Sequence, residues 1–207
     1  MAQQPDEVTL FVLLGGGGGV GKTSVVRRFL ENRFIPSRRP TIGTDLISLA
    51  LPPLAGVDGA RPAVLLLCDP SHLELRNEWP QLASGASAHG ILLVVDPSEP
   101  ETLREADAWL LRAREELKLG AFQEHTLLLA HKHDIAGVTP APLGPHELDA
   151  YCAQRGLIGW VYTSARCAPR PFADDGRREH AVAHSACCTT AMLWSCSPLR
   201  SPFLGPS

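Results

Sequence analysis

Gly15-Gly-Gly-Gly-Gly-Val-Gly-Lys22-Thr23-Ser24 is the stretch on which the reading of this chain turns. From Gly16 to Thr23 it carries the pattern G-x-x-x-x-G-K-[ST]. An apolar run, Val8-Thr-Leu-Phe-Val-Leu-Leu14, precedes it, and a helix-like run, Ser24-Val-Val-Arg-Arg-Phe-Leu-Glu-Asn32, follows. Strand, glycine loop and helix form the context in which this pattern cradles phosphate. Glycines at Gly16, Gly19 and Gly21, with Val20 between the last two, let the backbone wrap so that successive N–H groups point inward. The helix adds its positive end. Lys22 brings a charge to the β- and γ-phosphates, and the Thr23 hydroxyl is the expected Mg²⁺ ligand, with Ser24 beside it. The rival reading is a flexible glycine linker ending in Lys-Thr. A linker needs neither the strand before it nor the amphipathic helix after it.

Working outward, further apolar runs read as buried strands: 63–67, 91–95, 126–130 and, more weakly, 159–163. Residues 45–51 and 62–67 suit an antiparallel edge hairpin. Helical patterns cover 22–32, 101–119 and 145–155, the last opened by Pro145. In 101–119, the apolar positions 103, 106, 110, 113 and 117 share one face, and Gly120 is a stop signal. Continuous apolar strands alternating with helices predict an α/β fold: a mainly parallel, six-stranded sheet with helices on both faces. In such folds ligands collect at the carboxyl ends of the strands. The domain should span 8–167. Residues 168–207, rich in Pro, Ala, Ser, Cys and Arg, should form an atypical, poorly ordered tail. A short helix across 178–194 is one option, and disorder is expected from Ser195 to Ser207.

The chain has 207 residues, 44% of them hydrophobic, and a net charge of -3. With a pI near 6.2, it offers no case for nucleic acid or for a basic membrane-binding patch. No apolar run approaches the roughly 18 residues of a spanning helix. The polar N-terminus has no signal-peptide pattern. Its six cysteines lack paired ligand spacing, which predicts free thiols in a reducing, cytoplasmic setting.

Four later motifs sit where nucleotide-facing loops belong: Arg39-Pro-Thr41-Ile-Gly-Thr-Asp45, Asp69-Pro-Ser-His72-Leu73-Glu74, His131-Lys132-His133-Asp134 and Thr163-Ser164-Ala165-Arg166. Together they resemble the Ras superfamily of small GTPases, and most closely the Rab branch, over about residues 8–166. Pro-Thr-Ile-Gly is the Rab form of the first switch. Gly-Leu-Ile-Gly-Trp160, before Tyr-Thr-Ser-Ala165, further resembles the Rab subgroup of lysosome-related organelles. The resemblance implies GTP/GDP binding with Mg²⁺, slow GTP hydrolysis and a role in vesicle trafficking. Thr41 would then coordinate Mg²⁺ and contact the γ-phosphate, and Asp69 would hold Mg²⁺ through water. Lys132 would lie along the guanine ring, and Asp134 would accept from guanine N1 and N2. The Ala165 N–H would meet guanine O6, flanked by Ser164 and Arg166. Effectors and exchange factors would meet residues near 36–46 and 69–84. Plainer readings stand beside these: Thr41 as an ordinary loop threonine, and Asp69 and Asp134 as strand-end or turn acids.

The chain departs from the family pattern at the second switch, Asp-x-x-Gly-Gln. His72 stands at the pivot Gly, and Leu73 at the Gln that orients the attacking water. Pro70 stiffens the same loop. His131 replaces the usual Asn, whose side chain ties the base loop to the phosphate loop. These departures leave open a second class, a catalytically dead pseudo-GTPase acting as a binding scaffold. A P-loop nucleoside or nucleotide kinase is a third class. No arginine-rich lid follows the third helical pattern, and Asp134 with Ser164-Ala165 favours guanine. Of the histidines, 125, 131 and 133 read as loop residues rather than a metal set. The tail ends Phe203-Leu-Gly-Pro-Ser207, without a prenylation motif, so stable membrane association is not expected, although the resemblance implies a peripheral place on endomembranes. Cys187-Cys188 reads as a pair of small apolar residues.

Overall fold

The computed structural model describes residues 8–36, 43–51, 62–70, 88–117, 125–136, 143–167 and 182–183. Strand β1 (Val8–Gly15) runs into helix α1 (Lys22–Glu31). Then come β2 (Thr44–Leu51), β3 (Ala63–Pro70), β4 (Gly90–Val95), α2 (Glu101–Leu117), β5 (Thr126–Ala130), the short α3 (His133–Ala136), α4 (Pro145–Arg155), β6 (Gly159–Thr163) and β7 (Val182–Ala183).

The sheet order is β2-β3-β1-β4-β5-β6-β7. Among the described strands only β2 and β3 pair antiparallel, with Thr44 opposite Pro70 and Leu51 opposite Ala63. This is the edge hairpin expected from the pattern, lengthened to Pro70. The described strands number seven rather than the six expected: Val182–Ala183 pairs parallel with Tyr162–Thr163. A two-residue strand carries no periodicity, so the sequence offered no sign of it. At those two positions it also replaces the helix considered across 178–194.

Alternation with a period of two sorts the strand residues between two layers. Phe11, Leu13, Ile91, Leu93, Val95, Leu128 and Ala130 face α2 and α4, where Trp109, Ala113, Leu148 and Tyr151 are buried. Val12, Leu14, Leu65, Leu67, Leu92, Val94, Leu127 and Leu129 face α1 through Val25 and Val26. On α2 the expected stripe holds at Ala106, Leu110 and Ala113, and Thr102 and Trp109 widen it. Tyr151 Oη donates to Asp107 Oδ1 at 2.9 Å, and the Arg155 guanidinium pairs with the same carboxylate, so α4 is tied to α2. Among the described residues no helix is long and apolar enough to cross a membrane.

Strand β1 lies between β3 and β4, both parallel to it. The connections leave β1 and its neighbours in opposite directions, which opens a crevice at their carboxyl ends. The glycine loop, the end of β3 at Asp69, and the loops after β4, β5 and β6 all emerge on this side.

Candidate functional site

The glycine loop is held by its own backbone. Gly16, Gly19 and Gly21 have φ of 122°, 72° and 104°, values that disfavour any side chain. Gly16 is constrained twice over, because a Cβ there would also collide with the Val94 carbonyl of β4. Lys22 turns back over the loop: its Nζ donates to Gly16 O at 3.0 Å and Gly17 O at 2.6 Å. Burial pushes the Lys22 ammonium below its usual pKa, and the charges of Asp69 and Glu105 partly offset that. Glu105 comes from α2, and its carboxylate fills the space that a side chain on Gly17 would need. Gly21 caps α1 without a side chain of its own, so the positive end of the helix faces the loop. Val20 is buried, while Thr23 and Ser24 are half-buried in the first turn. Asp69, at the end of β3, is 1% exposed.

The loops after β5 and β6 form one hydrogen-bonded unit. His131 is 2% exposed, and its Nδ1 lies 2.8 Å from Thr163 Oγ1. The other edge of the imidazole abuts the glycine loop: a Cβ on Gly21 would lie 2.5 Å from His131 Cδ2. The ring therefore bridges the two loops by packing, in the place where an Asn was expected to bridge them. Burial and the Lys132 charge push its pKa down to about 4, against the opposing charges of Asp134 and Asp96, so it is neutral at pH 7. His133 stacks on Tyr162 with ring centroids 4.0 Å apart.

Lys132 holds φ of 61°, and its Nζ lies 2.7 Å from Asp96 Oδ2. Burial alone would raise the Asp96 pKa. Hydrogen bonds from Lys132 and Ser98, with the Lys132 charge, hold it below the usual carboxylate value. Ser164 Oγ donates to Asp134 Oδ1 at 2.6 Å and accepts from Arg166 N at 3.1 Å and Cys167 N at 3.2 Å. Ala165 is 3% exposed.

The structure thus gathers Gly16, Gly19, Val20, Gly21, Lys22, Thr23, Ser24, Asp69, His131, Lys132, Asp134, Ser164, Ala165 and Arg166 at the carboxyl ends of the strands. Thr41, His72 and Leu73 lie outside the described residues, as do most of 36–46 and 69–84. Sequence reasoning missed Asp96, Glu105 and Arg28, and it quoted Thr163 within its motif without the contact to His131. Asp96 was open to discovery, because an acid directly after an apolar strand sits where such folds place ligand loops. Arg28 of α1 had no such signal. Its Nε donates to Ala165 O at 2.6 Å and its NH2 to Arg166 O at 3.2 Å, across more than a hundred residues of chain.

Comparisons with known proteins agree with this arrangement. The family model described as "Ras family" matches residues 11–169. Ras-related protein Rab-32C of Dictyostelium discoideum is 28% identical over 163 residues, covering 78% of this chain and 67% of that protein. Ras-related protein Rab-18 of Lymnaea stagnalis is 33% identical over 110 residues, covering 53% of this chain and 52% of that protein. Ras-related protein RABG3b of Arabidopsis thaliana is 29% identical over 161 residues, covering 76% of this chain and 75% of that protein. The glycine loop after β1, the sheet order and the paired loops after β5 and β6 are features of one fold, and by family match the chain belongs to the Ras family, on its Rab branch.

Proposed function

We propose that this chain is a guanine-nucleotide switch protein that binds GTP and GDP with Mg²⁺ and hydrolyses GTP slowly, working with effector and exchange-factor proteins in vesicle trafficking. The observation that carries the reading is the contact of His131 with Gly21, which joins the glycine loop to the unit of Lys132, Asp134 and Ser164. One continuous surface then offers backbone N–H groups and Lys22 to phosphates, and a carboxylate to a base. Guanine presents two donors to such a carboxylate and adenine does not. Asp134 is the base reader, Lys132 lies along the ring with its ammonium held by Asp96, and the Ala165 N–H meets the 6-oxo group.

Among the described residues Thr23 offers a hydroxyl and Asp69 a buried carboxylate, donors that suit a hard cation, and by the family resemblance Thr41 would join them. Mg²⁺ held there would offset phosphate charge. Lys22 holds the phosphates, and burial strips water from its ammonium so that its charge is felt more strongly. The resemblance of Gly-Leu-Ile-Gly-Trp160 supports a place in the Rab subgroup of lysosome-related organelles, peripheral on endomembranes.

A second reading rests on His72 and Leu73. A leucine cannot orient water, and positioning is most of what such a site contributes to phosphoryl transfer. On this reading the protein holds nucleotide as a scaffold and does not turn it over. Single-turnover phosphate release from preloaded GTP separates the two. A slow first-order release, abolished by Lys22→Ala, supports the switch. Retained, unhydrolysed GTP supports the scaffold. Failure to load any guanine nucleotide contradicts both.

A further inference from the structure

We infer that Arg28 is a positioning residue that clamps the loop Ser164-Ala165-Arg166 to helix α1 and so sets how tightly the 6-oxo group of the base is held. The inference rests on the nucleotide reading above and names a residue outside both binding loops. Helix α1 begins at the glycine loop and ends at Glu31, capped by Asn32 at φ 50°. Arg28 lies in its last turn. Its NH1 donates to Asn32 O at 2.8 Å and Asn32 Oδ1 at 3.1 Å, which fixes the guanidinium against the helix end. The remaining edge of the fork donates to the carbonyls of Ala165 and Arg166.

A peptide whose carbonyl is fixed has a fixed plane, so Arg28 sets the two peptides that carry the Arg166 and Cys167 N–H groups, directly after the peptide that carries the Ala165 N–H. Ser164 Oγ holds the same loop from the other side, through the N–H groups of Arg166 and Cys167. The two peptides that follow Ala165 are therefore gripped at carbonyl and amide together, and the peptide bearing the Ala165 N–H hangs from this fixed pair. A single rigid helix thus meets phosphate at its first turn and steadies the base loop at its last. The planar fork is what the site requires, because a lysine presents a point charge that cannot serve two carbonyls and the helix cap together.

The test uses the full chain with Arg28→Lys and Arg28→Ala. Affinities are measured for GDP and for 2-aminopurine riboside 5′-diphosphate, which keeps the phosphates and lacks the 6-oxo group. The lysine variant keeps the positive charge at the helix C-terminus, so it separates the fork from the helix-dipole contribution. We expect both variants to lose about tenfold in GDP affinity, the order of one lost neutral hydrogen bond, with much less change for the analogue. An equal loss for both ligands, or no loss, overturns the inference. If the unmodified protein holds no GDP, the nucleotide reading fails, and the clamp is then judged by hydrogen exchange at the amides of Arg166 and Cys167. Faster exchange there in Arg28→Lys supports the clamp, and unchanged exchange overturns it.

Discussion

At the glycine-loop end of the crevice, Lys22 bonds to carbonyls five and six residues away, and three glycines with positive φ shape the loop. At the other end, His131 reaches Thr163 across 32 residues, Asp134 meets Ser164 across 30, and Arg28 meets Ala165 across 137. The first end is a local backbone device, specified by ten consecutive residues. The second is a tertiary network that exists only when β5, β6 and α1 are assembled. A local device is disrupted by putting a side chain where none fits. A tertiary network is disrupted by removing a side chain that several elements share.

The largest effect should come from Gly16→Ala. It places a Cβ at φ 122° and against the Val94 carbonyl. Backbone strain and overpacking together should cost about 3–5 kcal/mol, read as a lower denaturation midpoint with an unchanged m-value. A midpoint within error of the parent would show that the loop does not adopt this backbone.

Next in size is the pH dependence from His131. In the unfolded chain its imidazole takes a proton near pH 6.5, and in the folded protein only near about 4. Between those values the unfolded state holds more protons, so stability rises with pH across that window and is lost as pH falls through it. The full term is about 3 kcal/mol. The charges around the ring are Lys132, Asp134 and Asp96, and His133 is shifted in the same direction and remains. The lowered pKa of Asp96 acts at more acidic pH. Denaturant titrations of His131→Asn at pH 5 and pH 7 should show a smaller difference than the parent. An identical difference would mean that the ring is not buried neutral.

Lys22→Ala should cost about 1.5–3 kcal/mol of nucleotide binding, roughly ten- to a hundredfold. It should leave the melting temperature of the nucleotide-free protein unchanged or raised, because burial already disfavours this charge. A fluorescent GDP analogue reports the affinity, and unchanged binding would contradict the phosphate reading.

The smallest structural effect belongs to Asp134→Asn, since the amide oxygen can still accept from Ser164 Oγ. Stability should stay within about 0.5 kcal/mol, while base choice changes. Affinity for GTP should fall and affinity for XTP should rise, since the 2-oxo group of xanthine prefers a donor. Competition between the two nucleotides checks it, and a shift of both in one direction would remove Asp134 as the base reader.

These two ends also explain what was legible in the sequence. The glycine loop could be read directly, because its chemistry is contiguous and its flanking runs have opposite periods. The β2–β3 hairpin and the α2 stripe could be read for the same reason. Asp134 and Ser164 were legible only as matched motifs, because nothing local says that they meet. Arg28 was not legible at all: on a helical pattern it is one more polar position, and only the assembled fold brings it to Ala165. At His131 the sequence shows only a departure from the family's Asn; that the ring packs against Gly21 is visible only in the fold. Strand β7 escaped because two residues carry no period.

The central claim is that the crevice holds a guanine nucleotide, and it is tested most directly by mass spectrometry of what the purified protein releases on denaturation, after preparation with and without Mg²⁺. The account predicts GDP or GTP near one equivalent with Mg²⁺ and markedly less without it. An adenine nucleotide, or no nucleotide under either condition, would contradict it.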